Sequence, residues 1–484
     1  MKNKNLLSMI CLTGSALLLA SGLTSCGGGT DSAITVDFWH TFGQGVQDQL
    51  NAKIASFEAI ILEQEGVQVK VKHSYSGSYD DINTKITNGL GTGNIPTMAV
   101  AYPDHIADYL NSEGNNDGKY VVNFEDYFHN ANYGYGTNSY LGDYEDETDI
   151  IPAFLNEGKQ FAKEGTFCFP FMKSTEVMFY NVEQVDILLP LYDSSLNTET
   201  ARENFLNNMS WETFMDVCKV ADQNRDKLIS TLERPAFYGS DSNLFISQMF
   251  QSEIPYSSIN SETRKGQIDF ETGKANEDAK AMVTALKAAY DAGILNTKGC
   301  ESTYGSTAFI EEQSIFSIGS SGGAGYNFPD SDNFTVGVCK VPAVNNNSIY
   351  VSQGPSLCML NNPSIGSKNA KNLEYAWKFI KYITNTDNNI ELCVRGSEGY
   401  VPVRTSSYET EVYFEFLENG ENYAKVANVV SNDIDGNYLS TAVFCGSAKL
   451  RDQVGGIITS VLLGRSTVDQ AFADAINNAK LAIV

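Results

Sequence analysis

The chain has 484 residues, 42% of them hydrophobic, and carries 59 acidic against 33 basic side chains for a formal net charge of −26. That balance argues against nucleic acid as a partner, because phosphate needs a basic face, and against a polybasic membrane patch. The length allows two to four cores at the usual ~100–200 residues each.

Residues 1–25 carry Lys2 and Lys4, no acid, and an apolar run around Leu17 to Ala20 too short to span a bilayer. This is the pattern of an export signal. It ends in Leu23-Thr24-Ser25-Cys26, followed by Gly27, Gly28 and Gly29. The four-residue stretch resembles the bacterial lipobox, which implies cleavage before Cys26, a lipid on its thiol, and residues 26–33 as a tether. Beyond it, Ala33 to Trp39 reads as a strand. Gln47 to Leu62 places Leu50, Ile54, Phe57 and Ile61 at three- and four-residue spacing, an amphipathic helix that Gly66 closes. Val67 to Val71 alternates as a strand, Asp80 to about Leu90 as a helix, and Thr97 to Ala101 as an apolar strand. This βαβαβ opening predicts a largely parallel sheet that binds ligand at the carboxyl ends of its strands.

Residues 111–148, rich in Asn, Gly, Asp and Tyr, read as a surface loop, and 192–204 as a polar insertion. A second α/β region begins near Phe169, with Ser210 as N-cap of a helix from Trp211 to Val220. Thr335 to Val338 reads as a strand returning to the first lobe. Helical periodicity resumes over Ala370 to Thr384 and again at the C-terminus.

Catalytic and metal patterns fail on spacing. Gly319-Ser320-Ser321-Gly322-Gly323 has the form G-x-S-x-G, yet all four histidines (His40, His73, His105, His129) precede it, the wrong order for a hydrolase triad of that type. They show no H-E-x-x-H pairing. Asp222 to Glu233 offers oxygen ligands at calcium-loop spacing, but Lys227 stands where the turn demands glycine. Besides Cys11 and Cys26, seven scattered cysteines lack any C-x-x-C, and most sit among apolar neighbours, as buried thiols do. No enzyme, metal or cofactor is expected.

Eight landmarks then occur in order: FWHTFG (38–43), YSGSYDD (75–81), FPFMKSTEVMFYN (169–181), SWETF (210–214), FSIGSSGGAGYN (316–327), SQGPSLCML (352–360), SEGYVPVR (397–404) and GRSTVDQAFADA (464–475). From Ile34 onward the chain resembles the extracytoplasmic solute-binding proteins that include the maltose and glycerol-3-phosphate binders. The resemblance implies an α/β, two-lobed, type II periplasmic-binding-protein-like fold with the ligand in the cleft between lobes. Lobe 1 is expected over 34–172 plus 335–405, and lobe 2 over 173–334 plus 406–484. It further implies a monomeric, lipid-anchored receptor that hands its solute to the permease subunits of an ABC importer, outside the cytoplasmic membrane. Similarity to the glycerol-3-phosphate binders implies Tyr79, Ser174, Ser320, Gly354, Tyr400 and Arg451 as phosphate ligands, with Asp104 reading polyol hydroxyls. Two departures stand out. Tyr102 is followed by Pro103 before Asp104, and no tryptophan lies near Tyr238 to Leu244, which suggests a roomier site. A glycerophosphodiester or similar phosphate-bearing polyol is the first expectation. A neutral mono- or oligosaccharide is the alternative, and a secreted hydrolase of such compounds the reading from another class.

Overall fold

The computed structural model describes residues 33–114, 118–301, 303–330, 333–396, 398–432 and 437–483. The export signal and Cys26 lie outside them. The first lobe begins as expected. Strand β1 (Ile34–His40) leads into helix α1 (Gln44–Glu65), whose face Val46, Leu50, Ile54, Phe57 and Ile61 is buried. Gly66, at φ 68°, ends that helix in the left-handed region that glycine reaches without penalty. Strand β2 (Val69–Tyr75) follows. Helix α2 (Tyr79–Gly89) then starts on a capping box in which Ser78 and Asp81 each bond the other's backbone N–H. Strand β3 (Met98–Ala101) and helix α3 (Pro103–Asn111), with proline in its first turn, complete the unit.

β1 pairs in parallel with both β2 and β3. The sheet is finished by two distant segments: Ser356–Met359 lies antiparallel between β3 and β4 (Phe169–Pro170). Its core centres on fully buried Trp377, which is ringed by Phe124, Phe128 and Phe169 and donates its indole N–H to the Tyr133 carbonyl at 2.9 Å.

The second sheet runs Val336–Cys339, β5 (Glu176–Asn181), Phe316–Ser320, Ala236–Tyr238, Leu295–Thr297. Both neighbours of β5 are antiparallel to it, and the remaining pairs are parallel. Its own core gathers Phe214, Phe316, Phe245 and Phe472, with helix Ser447–Leu462 packed on helix Asp241–Gln251. The segment expected to return to the first lobe, Thr335 to Val338, therefore belongs to the second. Hydrophobic patterning identifies a strand but not its partner, and here Val336 packs with Val177 and Phe179 on the far face of β5. The polar stretch 192–204 is likewise not all loop. Thr198 caps a helix from Glu199 to Leu206, with its Oγ1 accepting from the Ala201 N–H.

Three passages of chain lie side by side between the sheets. Lys173 exchanges backbone hydrogen bonds with Val401 (3.1 and 2.8 Å), and Ser174 exchanges them with Gln353 (3.0 and 2.9 Å). Lys173 has no exposed surface, and its ammonium donates to the Glu157 carboxylate at 2.5 Å. Burial pushes the Glu157 carboxyl up, against the lowering effect of Lys173. A pair this deep is costly to break, because removing one charge strands the other. Glu157→Gln should lower unfolding free energy by about 3 kcal/mol or more in urea titration. Glu157→Leu with Lys173→Met should recover most of that loss.

Candidate functional site

A cavity of about 570 Å³ opens between the lobes, within the range of small-molecule clefts. It is built where strands end. Tyr102, Pro103 and Asp104 follow β3, Gly239 and Ser240 follow Ala236–Tyr238, and Ser320 closes Phe316–Ser320. This is the carboxyl-end placement that the βαβ pattern predicts.

Three of the seven sequence-derived ligand residues line the cavity: Asp104, Ser320 and Arg451. The Asp104 carboxylate accepts from the Ser447 hydroxyl at 2.5 Å, which links α3 of the first lobe to the first turn of helix Ser447–Leu462 in the second. Arg451, one helical turn further, donates through Nη2 to the Asn243 side-chain carbonyl.

The other four stand behind the wall. Tyr79 stacks on Tyr102, with ring centroids 4.1 Å apart, and so backs a residue that does face the cavity. Ser174 sits in the crossover, its hydroxyl 3.4 Å from that of Ser320. Gly354, at φ 91°, adjoins the same ladder, where a Cβ would come within 2.5 Å of the Met172 carbonyl. Tyr400 neighbours Val401 in the third passage, and its ring would meet a side chain on Gly322 at 2.7 Å.

The glycines of GSSGGAG divide by the same test. Gly322 is required by the packing of Tyr400. A Cβ on Gly319 would meet nothing within 4 Å, and one on Gly323 would meet only Tyr326 at 3.8 Å. Both of these line the cavity, so internal packing does not account for their small size.

Tyrosine faces and carboxylates stand among serine hydroxyls and amide side chains in the rest of the wall. Tyr102, Tyr304 and Tyr326 are 37%, 64% and 77% exposed and all line the cavity. Among the described residues the acidic groups of the wall are Asp80, Asp104, Glu157, Glu176 and Asp452, and the one guanidinium is Arg451. Lys173 offsets Glu157 from behind. Burial pushes the Glu176 carboxyl up to about 7 and the Asp452 carboxyl up. It pushes the His105 imidazole down, against the raising effects of Asp104 and Asp80, which favours the neutral ring.

Sequence reasoning missed Glu176, Asn243, Tyr304 and Tyr326. Glu176 and Tyr326 fall inside two of the landmarks, so their positions were visible and their direction was not. Tyr304 has no sequence signal.

Away from the cavity, two histidines are accounted for by structure. Phe42 N–H donates to His40 Nδ1 (3.2 Å), His40 Nε2 pairs with His73 Nδ1 (2.8 Å), and His73 Nε2 meets the Asn51 carbonyl (2.9 Å). That chain is satisfied by two neutral rings, and burial pushes His40 down to about 4. Among the described residues, no group of three or more His, Cys, Asp or Glu is placed to hold a metal ion.

Residues 54–417 match the family model described as bacterial extracellular solute-binding protein. The chain belongs to that family. It is a solute-binding protein and not an enzyme. A comparison with curated protein sequences finds no match. Solved structures show the same two-lobed fold. The GacH receptor of Streptomyces glaucescens, solved unliganded and with acarbose, has 18% identity and a TM-score of 0.66, over 93% of this chain and 99% of that one. UgpB from Mycobacterium tuberculosis, in complex with glycerophosphocholine, has 16% identity and a TM-score of 0.64, over 94% and 98%. The maltose/maltodextrin-binding domain MalE from Bdellovibrio bacteriovorus, bound to maltotriose, has 13% identity and a TM-score of 0.61, over 93% and 99%.

Two of these positions lend themselves to direct tests. Gly354→Ala in this solute-binding protein should cost more than ~1 kcal/mol in thermal or urea unfolding, since both its φ and its clash oppose a side chain. In ring-nitrogen NMR, His40 should stay neutral through pH 5, titrating well below the ordinary 6.5.

Proposed function

We propose that this protein is the receptor of an ABC importer, tethered outside the cytoplasmic membrane by a lipid on Cys26, and that its solute is a neutral carbohydrate. The carrying observation is the balance of the cavity wall, with five carboxyl groups and three exposed tyrosine faces against a single described guanidinium already hydrogen-bonded to Asn243. Carboxylates accept from sugar hydroxyls, and tyrosine rings offer flat apolar faces to the C–H side of a pyranose. A phosphate entering the same space meets more negative charge than positive, and like charges brought together in a desolvated cleft are costly. GacH and the Bdellovibrio MalE, whose structures hold acarbose and maltotriose, are in keeping with this choice.

A glycerophosphodiester is the second reading. Arg451 favours it, as a planar donor fork facing the cavity, as does the likeness to UgpB. In either case the work is capture by closure of the lobes about the crossover, then recognition by permease subunits.

Calorimetry and thermal shift on residues 27–484 against maltose, maltotriose, other neutral oligosaccharides, glycerol-3-phosphate and glycerophosphocholine decide between the two. A ligand at ~100-fold its Kd adds about 2.7 kcal/mol to stability. Stabilisation is expected from a neutral sugar. Tyr304→Ala and Tyr326→Ala should each weaken it about tenfold, or ~1.4 kcal/mol, without lowering the Tm of the free protein. Stabilisation by the phosphate compounds alone would overturn the carbohydrate reading.

A further inference from the structure

We infer that Glu176 is the specificity-determining residue that turns this cleft away from anions, acting through Asn243 on Arg451. The inference rests on the carbohydrate reading for its consequence, not for its geometry.

Glu176 is the first residue of β5, immediately past the crossover, and it lines the cavity while being only 3% exposed. Both of its oxygens are engaged. Oε2 accepts from the Tyr238 hydroxyl at 2.6 Å and from the Ser247 hydroxyl at 3.4 Å, and Oε1 accepts from the Asn243 amide nitrogen at 3.2 Å. The carbonyl of that same amide accepts from Arg451 Nη2. One asparagine thus joins a buried carboxylate to the guanidinium of the cavity wall, with the amide dipole oriented to suit both charges. Arg451 is held in place and its field is opposed from within the protein. Wherever Glu176 is ionised, an anion reaching Arg451 must compete with a countercharge fixed within the protein. A neutral solute escapes that competition and meets an oriented donor.

The groups around Glu176 are Tyr238 from the neighbouring strand, Asn243 and Ser247 from helix Asp241–Gln251, and Arg451 from helix Ser447–Leu462. Asp80, Asp104, Glu157, His105 and Asp452 share the cavity wall. Desolvation is the largest influence on the Glu176 carboxyl and raises it, while the three hydrogen bonds and Arg451 lower it. Protonation of Glu176 removes the opposing charge, so the sign is fixed: anion affinity relative to neutral-sugar affinity rises as pH falls through about 7.

The test is calorimetry of wild type, Glu176→Gln and Glu176→Gln/Arg451→Gln with glycerophosphoglycerol, a phosphodiester whose charge is constant over the range used. The neutral sugar from the preceding screen serves as reference. Gln is isosteric with Glu and keeps an acceptor for Tyr238. The single variant should bind the phosphodiester about tenfold more tightly relative to the sugar, and the double variant should lose that gain. In wild type the ratio should shift the same way between pH 8 and pH 6, which tests the inference even where the variant fails to fold. An unchanged ratio in Glu176→Gln, or a gain that survives loss of Arg451, would overturn it. If wild type prefers the phosphodiester, the carbohydrate reading falls, and the sign of the Glu176→Gln effect still judges the relay.

Discussion

The pairing of Lys173-Ser174 with Val401 on one side and Gln353 on the other is the constraint on which the rest of the molecule depends. The first sheet is not a continuous piece of sequence. The first needs Ser356–Met359 to join β3 to β4, and the second needs β5 to stand between Val336–Cys339 and Phe316–Ser320. β4 directly precedes the ladder, and β5 and Ser356–Met359 directly follow segments of it. Short backbone pairings can flex about their φ and ψ angles while keeping their hydrogen bonds, and a small apolar cluster of Ile151, Phe154, Val401 and Val403 with Val177 and Phe179 packs beside the joint. The buried Lys173–Glu157 pair fixes that joint chemically, since both charges are satisfied only when the segment lies where it does.

The character of the cleft follows from that joint. Glu176 enters the cavity because β5 starts directly after the crossover, and Ser320 faces Ser174 because its strand is the antiparallel neighbour of β5. Asp104 and Ser447 then join the lobes on one flank of the cavity through a side-chain hydrogen bond. The wall is acidic, tyrosine-faced and hydroxyl-rich, and its arginine is held by an amide that also serves a carboxylate. On the carbohydrate reading proposed above, such a wall distinguishes solutes by charge before it distinguishes them by shape.

Much of this was legible in the residues. Periodicity located β1 to β3 and the helices between them, and the landmark order gave the two-lobed fold. Local rules, however, do not carry partner choice. The apolar character of Val336 to Cys339 says strand, but only the tertiary arrangement says beside which neighbour, and it set that strand against β5. The direction each expected ligand residue faces depends on tertiary arrangement in the same way. Carrying over Tyr79, Ser174, Gly354 and Tyr400 located the neighbourhood of the cleft. In this chain those residues back Tyr102, form the joint or pack the glycines, while Asp104, Ser320 and Arg451 reach the cavity. Glu176 was hidden because a buried acid in an apolar strand has no periodic signature; its neighbours Tyr238, Asn243 and Ser247 are distant in sequence.

The late arrival of Ser356–Met359 has a bearing on how the protein acquires its structure. As the chain emerges N-terminus first, β3 is complete roughly 250 residues before the strand that covers its edge exists. The second sheet, whose strands all lie between Glu176 and Cys339, has every component available sooner. The N-terminal half of the first lobe must therefore wait with an open edge while the middle of the chain condenses, an interval in which unpaired strands are prone to association. Export machinery that keeps the chain extended until it has crossed the membrane shortens that interval, so the fold's order of assembly suits a protein that matures outside the cell's interior.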